Sequence, residues 1–279
     1  MRKKAGRLLL LLQLATFGAS AQELYVFTEP ASVMPARSLT VRSRTHMMGE
    51  NAMYDRFTFR NGLQLIAGLT GRWTMKVGGS WGNMMTYAVK PESIGFYSRY
   101  RLLSFDDVHR HFRLAAYVEG AYTAAPFDHD EVSLMGDKSG LEAGIIATQL
   151  THKLALSVTG SHTQVLHYSR KNAALFDPAR TFQTLQFSFS GGYLVFPREY
   201  KDYRQTNLNL YAELLTQRSL DNNRYYVDVA PALQLIFSSR TKLNLGYRFQ
   251  VGGTMDRMAE RSWLLSLEST WLGFFKKRR

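Results

Sequence analysis

The sequence predicts an all-β fold, an antiparallel transmembrane β-barrel of about twelve strands. The first observation is a two-residue period within residues 224–251, where Val227 and Leu233 lie on one face and Asp228 and Gln234 on the other. The second is strand length, because the alternation continues for about ten residues, enough for a tilted strand to cross a bilayer. The third is that no later apolar run is long enough for a helical span, although the chain is 13% aromatic.

Residues 1–21 have the three parts of an export signal. A basic start precedes the apolar run 8–17, and Ala19-Ser20-Ala21 stands before Gln22. That run has about half of the ~20 residues that an anchoring helix requires. We therefore expect cleavage after Ala21 and export of the remaining chain.

Two further segments are predicted after the signal. Residues 22–37 contain Pro30 and Pro35 among apolar residues and do not alternate cleanly. This pattern indicates a lead segment that does not span the membrane and that lies either in the periplasm or inside the lumen. Residues 38–279 are predicted to form the outer-membrane barrel.

The beginning of the lead segment reads Glu23-Leu24-Tyr25-Val26-Phe27-Thr28-Glu29-Pro30-Ala31-Ser32. Over Glu23 to about Val41 it resembles the start of a family of poorly characterised outer-membrane proteins of Bacteroidota. The resemblance implies a β-barrel in the outer membrane and assigns no functional residue.

Twelve candidate strands follow at a steady spacing. They lie at about residues 38–46, 63–71, 73–84, 94–104, 111–123, 140–150, 153–166, 181–196, 204–217, 224–237, 242–252 and 261–273. An even number is expected of a single-chain bacterial barrel. Short connections such as Gly71-Arg72 alternate with longer polar ones such as 47–62 and 124–139. This alternation is typical of periplasmic turns and outer loops.

Large aromatic residues fall mostly near the ends of these strands, where girdles at the membrane interfaces are expected, although a buried aromatic core is an alternative. They are Trp73, Trp81, Tyr100, Tyr122, Tyr193, Tyr247, Trp263 and Trp271. The last strand ends in aromatic residues, as many barrel insertion signals do. Four basic residues, 276–279, follow it and depart from that pattern.

The formal net charge is +13, and removal of the four basic residues of the signal lowers it to +9. Nucleic acid is not expected as a partner, because the basic residues alternate with apolar ones and form no one-sided patch. The expected partners are outer-membrane lipid, lipopolysaccharide and the barrel-assembly machinery, and a periplasmic partner is a further option. With no cysteine there is no disulfide or thiolate site, and no cofactor is predicted.

Counting alternate positions along the strands predicts ten charged side chains that point into the lumen. They are Arg42, Arg44, Lys76, Arg99, Arg101 and Arg113 from early strands and Glu213, Asp228, Arg248 and Glu268 from later ones. If successive strands are neighbours, one wall is basic and the other mainly acidic. Arg99, Arg101 and Arg113 are then the predicted selectivity residues for small anionic or zwitterionic solutes. Alternatively, the charges pair with one another and seal the bore.

A polar inward face favours a pore or facilitator for small polar solutes. A closed barrel that is structural or docks a partner is the alternative, and a soluble exported β-sandwich is the rival fold. A lipid hydrolase is less favoured, because adjacent Ser161 and His162 on one strand point to opposite faces. No catalytic residue is assigned.

One loop concentrates acidic and imidazole groups, which can ligate a divalent ion. Its residues are Asp128, His129, Asp130 and Glu131, with Asp137 beyond. A charged, mobile loop explains the cluster more simply, so these residues are weak metal candidates.

Overall fold

A computed structural model describes residues 25–49, 56–84, 88–124, 129–167, 181–197, 202 and 204–275. Within these ranges the chain forms one closed barrel of twelve strands, which confirms the predicted fold class. The strands are β1 (Ser38–Met48), β2 (Thr58–Thr70), β3 (Trp73–Gly82), β4 (Lys90–Asp106), β5 (Arg110–Thr123), β6 (Ser139–Thr151), β7 (Leu154–His167), β8 (Gln183–Phe196), β9 (Asn207–Ser219), β10 (Tyr225–Phe237), β11 (Thr241–Gly253) and β12 (Arg261–Trp271).

Every strand pairs antiparallel with its neighbours in sequence, and β1 closes the ring by pairing with β12. The closing register runs from Leu39 opposite Trp271 to Met47 opposite Trp263. Closure leaves no free edge and satisfies the backbone groups between strands, as a hydrocarbon environment requires. No helix in the described ranges is long and apolar enough to cross a membrane.

Side chains alternate between an apolar outer face and a polar inner face. In β8, Phe187 and Phe189 are 58% and 48% exposed, whereas Ser190, which follows Phe189, is 1% exposed. In β10, Asp228 is fully buried. The lumen is therefore lined by polar groups, while the outer surface presents large hydrophobic groups to lipid.

Aromatic residues mark both ends of the outer surface. Trp73 pairs with Tyr100 beside the short turns, and Tyr247 packs on Trp263, with ring centroids 4.6 Å apart, near the other end. Trp73, Tyr100 and Trp263 are 39%, 46% and 48% exposed. These positions suit interfacial girdles, where a ring contacts both lipid tails and polar headgroups.

The two ends of the barrel differ in their connections. One end has turns of two or three residues at 71–72, 107–109, 152–153 and 238–240. We call this the periplasmic end, because short turns face the periplasm in bacterial barrels, and the opposite end the outer end. The connection 197–206 is an exception, being longer than the other periplasmic turns.

Two strands begin at least four residues earlier than predicted, at Thr58 instead of residue 63 and at Lys90 instead of residue 94. Their outer ends carry Arg60 and Glu92, which form an ion pair in the lumen. Charged residues at these positions are typical of a loop in the sequence, but in the folded barrel both side chains face the lumen and neutralise each other.

Candidate functional site

The lumen is crossed by residues 25–37, which contain no strand and which we call the plug. One wall residue, Glu213 of β9, accepts hydrogen bonds from three successive plug amides. The N–H groups of Val26, Phe27 and Thr28 lie 2.9, 2.9 and 2.8 Å from its carboxylate oxygens, and the Thr28 hydroxyl lies 2.6 Å away. A carboxylate that receives several backbone N–H groups makes strong, charge-assisted hydrogen bonds. Glu213 thus fixes the first part of the plug.

Glu29 ties the plug to the opposite, basic wall. Its carboxylate oxygens lie 2.7 Å from an Arg42 nitrogen and 3.3 Å from nitrogens of both Lys76 and Arg99. Burial alone raises the pKa of the Glu29 carboxyl, but Arg42, Lys76 and Arg99 hold it well below the usual range. The plug therefore supplies the negative charge that this basic wall faces.

The rest of the plug runs towards the periplasmic end. The amides of Ala31 and Met34 donate to the hydroxyls of Thr148 and Thr74, at 2.9 and 2.8 Å. At the rim, a Cβ added to Gly68 would lie 2.0 Å from the carbonyl oxygen of Pro35, so only glycine leaves room for the chain. The plug is thus held mainly by wall side chains rather than by strand pairing.

A ladder of buried amides extends from the later strands to the plug. Gln234 donates to Asn244 at 2.8 Å, and Asn244 donates to Glu268 at 3.3 Å. Glu268 pairs with Arg42 at 3.0 Å, and Arg42 holds Glu29. The ladder orients Arg42 towards the plug carboxylate, because each side chain in it satisfies a hydrogen-bonding group of the next.

From the outer end, residues 129–138 fold into the lumen, and we call them the lid. Its backbone is fixed at Val132, whose N–H and carbonyl both bond to the Gln217 amide at 2.8 Å. Asp137 pairs with Arg60 at 2.7 Å. The lid is therefore attached to β2 and β9 at separate points.

An arginine and carboxylate cluster fastens the start of the lid. Glu131 lies 3.1 Å from nitrogens of both Arg248 and Arg257, and Arg257 also pairs with Asp228 at 2.7 Å. Arg248 pairs with Asp228 as well. Burial raises the pKa of the Glu131 carboxyl, but Arg257 and Arg248 lower it to about 2. The cluster thus holds two positive and two negative groups in contact.

Between plug and lid lies a chamber made of two adjoining cavities of about 230 and 130 Å³. Both cavities are lined by Arg44, Lys76, Tyr97, Glu119, Glu131 and Arg248. The charged lining residues of the two cavities together are Arg44, Arg60, Lys76, Arg248 and Arg257, with Glu29, Glu119, Glu131, Asp137 and Glu142. Among the residues that the structure describes, the chamber wall therefore carries both signs of charge in equal number.

Most of the ten predicted lumen residues bind the plug or the lid. The plug is contacted directly by Arg42, Lys76, Arg99 and Glu213. Arg44 donates to the Val26 carbonyl of the plug at 3.3 Å, and Glu268 holds Arg42. Asp228 and Arg248 belong to the lid cluster. Arg101 and Arg113 lie apart, beside the periplasmic turn, where Arg113 pairs with the exposed Asp106 at 2.8 Å. The predicted selectivity set is therefore divided between the plug site and the rim.

Three of the weak metal candidates, His129, Asp130 and Glu131, lie in the lid. Asp128 falls outside the described residues. Asp130 pairs with Arg224 at 2.6 Å and accepts the Asp256 amide at 3.0 Å, while Glu131 faces its arginines. Across the part of the chain that the structure describes, no group of three or more histidine or acidic residues is placed to hold a metal ion.

Glu29, Glu119, Glu142 and Arg257 also line the chamber but are absent from the predicted lumen residues. Glu119 and Glu142 lie on the inner face of β5 and β6 and were accessible to the same count of alternate positions that found Arg113. Glu29 and Arg257 stand outside strands, where alternation gives no signal. As the sequence predicted, Ser161 is buried and His162 is exposed on the outer face, so the two cannot pair.

No protein-family model matches the chain. No curated protein matches it either. Among solved structures, an outer-membrane channel from Pseudomonas putida F1 aligns with a TM-score of 0.56 and 11% identity, over 88% of this chain and 100% of that one. The KdgM porin in complex with disordered oligogalacturonate aligns with a TM-score of 0.51 and 8% identity, over 83% and 99% of the two chains. The chain therefore has the fold of outer-membrane β-barrel channels.

Proposed function

We propose that this protein is an outer-membrane channel for small polar solutes, gated by the plug. The observation that carries the proposal is a lumen closed by a separable segment instead of by the barrel's own side chains. A barrel of eight strands can be filled by its side chains, but the bore widens with strand number. Here the chamber is open on the side of residues 25–37 that faces the outer end of the barrel.

The way in which the plug is bound supports a gating role. Residues 25–37 add no strand to the barrel, so their departure leaves every strand pair intact. Several of the groups that would be uncovered, such as Glu213, Thr148 and Thr74, are polar and can be hydrated, although Tyr25 and Val26 also pack on apolar wall side chains. Hydrogen bonds to charged groups contribute about 1.5–3 kcal/mol each, so the plug is held firmly but not irreversibly.

Export and placement form part of the same proposal. The tripartite signal in residues 1–21 supports cleavage before Gln22, and the fold shared with outer-membrane channels supports that membrane as the destination. Lipid contact on the outer face and assembly by the barrel-assembly machinery follow from that location.

The test is conductance of the purified protein in a planar bilayer. A Glu29→Gln and Glu213→Gln double variant removes both charges that hold the plug. We expect brief, small openings in the unmodified protein and sustained conductance in the double variant. Glu260→Gln, an exposed change on an outer loop, is the matched control and is expected to behave like the unmodified protein.

The double variant also tests the charge of the path. Without Glu29, the basic wall of Arg42, Lys76 and Arg99 loses its counter-charge. We expect chloride to be preferred over potassium in reversal potentials, with a preference that fades as salt rises.

A closed structural barrel is the second candidate, favoured by the complete pairing of Glu29 with the basic wall. It predicts that the double variant conducts no more than the unmodified protein. That result, with a faster-migrating band in unheated electrophoresis to show a folded barrel, would replace the channel proposal by the structural one.

A further inference from the structure

Glu119 of β5 differs from the other acidic residues of the chamber. It lines both cavities, yet its carboxylate makes no hydrogen bond and no ion pair within 4 Å to any residue in the described ranges. Its cross-strand neighbour Glu142 faces the same chamber but accepts hydrogen bonds from Tyr117, Thr163 at 2.8 Å and Gln186 at 3.0 Å. One carboxylate of the pair is thus satisfied and the other points to the cavity.

Lys76 and Arg44 are cationic neighbours of Glu119, but Lys76 pairs with Glu29 at 3.3 Å, so the cavity side of Glu119 favours a cationic group over an apolar or aromatic one. Two carboxylates directly opposite each other on neighbouring strands repel, and a cation between them relieves the repulsion. The nearby Tyr97 ring offers no face for stacking, because Lys76 lies 4.2 Å above its centroid and Tyr117 stacks on it at 5.3 Å. Recognition at this wall therefore depends on charge and hydrogen bonding.

Two arginines face Glu119 from across the chamber. In a ring of twelve strands, β5 and β6 lie opposite β11 and β12, with β1 beside them. Arg248 from β11 and Arg44 from β1 both line the two cavities. Because the charged lining residues balance in number, a solute with no net charge but with both signs at separate ends suits the chamber better than an anion does.

We propose that the chamber binds a small zwitterionic solute, with its ammonium group at Glu119 and its carboxylate towards Arg44 and Arg248. The inference rests on the proposed channel function, since it names the class of solute that the channel takes. In this proposal Glu119, between the plug and the lid, determines which solute binds, in place of the predicted selectivity residues Arg99, Arg101 and Arg113.

Equilibrium dialysis of the intact, unmodified protein in detergent at low salt tests the proposal, and long incubation allows for slow entry past the lid. The probes are 4-aminobutyrate, butyrate, butylammonium and 1,4-butanediol, which share a carbon chain and differ in charge. Six-carbon counterparts cover a longer separation. We expect one of the two zwitterions to bind at least about tenfold more tightly than its single-charge and neutral counterparts.

Substitution separates the role of Glu119 from general polarity. Glu119→Gln is expected to weaken zwitterion binding tenfold or more, Glu119→Asp to weaken it less, and Glu260→Gln to leave it unchanged. Unheated electrophoresis confirms that each variant is folded.

Several results would overturn the assignment. Tighter binding of butyrate would indicate an anion site, equal binding of butanediol would indicate a site indifferent to charge, and no binding of any probe would exclude this class of solute. A Glu119→Gln variant that binds like the unmodified protein would refute the role of Glu119. Because these measurements use the closed protein, they can fail while the plug-release variant still conducts.

Discussion

The plug and the lid both enter the lumen without joining the barrel, but they are held in different ways. The plug offers mainly backbone N–H groups, which donate to wall side chains such as Glu213 and Thr148, and one carboxylate, Glu29. The lid offers carboxylates, which are gripped by arginines, and Arg257 joins Glu131 to Asp228. When the plug leaves, the wall keeps polar groups that water can satisfy, but it also exposes apolar side chains such as Tyr211 and Leu264. When Arg257 is lost, Arg248 alone remains to balance two buried carboxylates, Glu131 and Asp228. We therefore expect the two segments to be released separately, each by the loss of its own wall partners.

The largest effect is expected at the lid cluster. Removal of one partner from a buried ion pair typically costs about 3–5 kcal/mol, because the remaining charge stays uncompensated. Arg257→Met should therefore detach the lid while strand pairing persists. The chain has no native cysteine, so Ser133→Cys provides a single reporter in the lid. Its labelling by a maleimide should rise at least about 100-fold.

The control for the lid is Arg240→Met in a periplasmic turn, which removes an exposed arginine far from the cluster. It should leave Ser133→Cys labelling unchanged. Equal labelling in the Arg257 variant and the unmodified protein would mean that the cluster does not hold the lid.

A smaller effect is expected at the plug. Glu213→Gln replaces a charged acceptor of three amides by a neutral one, and hydrogen bonds to charged groups contribute about 1.5–3 kcal/mol. With Ser32→Cys as the reporter, labelling should rise about 10-fold to 100-fold. The Ser133→Cys reporter should not respond. A response of both reporters would show that plug and lid move as one unit, which would contradict their separate attachment to the wall.

The strands and their faces could be predicted because alternation is a local property. Leu233 and Gln234 differ in facing whatever their partners are, and a two-residue period records this directly. The same count placed Arg99 and Arg113 on the inner face, but it carries no information about height along the bore or about the partner. One therefore holds the plug and the other lies at the rim.

The plug and lid contacts could not be predicted because they join distant segments without a periodic pattern. Val26 and Glu213 are 187 residues apart, and Glu131 and Arg257 are 126 apart. Neither Glu29 nor Arg257 lies in a strand. The sequence pattern allowed two locations for the lead segment, the periplasm and the lumen. Its contact with Glu213 becomes visible only in the closed ring, which brings the plug amides to that side chain.

The smallest effect is expected from acid, and it distinguishes the two segments by their carboxyl groups. Burial raises the pKa of Glu131, but Arg257 and Arg248 lower it to about 2, and Arg42, Lys76 and Arg99 likewise hold the pKa of Glu29 well below its usual range. A depressed pKa means that the ion pairs stabilise the closed form fully above the ordinary carboxyl pKa. That stabilisation is lost only as the pH falls through the depressed value.

Conductance of the unmodified protein should therefore stay low and flat from pH 7 to about pH 5, and openings should increase only as the pH falls towards about 2. Burial also lowers the pKa of His129 in the lid, so its imidazole stays neutral near pH 7 and does not oppose closure there. Bilayer recordings over this range measure the effect, with the plug-release double variant as the control that is already open at pH 7. Opening of the unmodified protein between pH 7 and 5 would show that a group other than these carboxyls holds the gate.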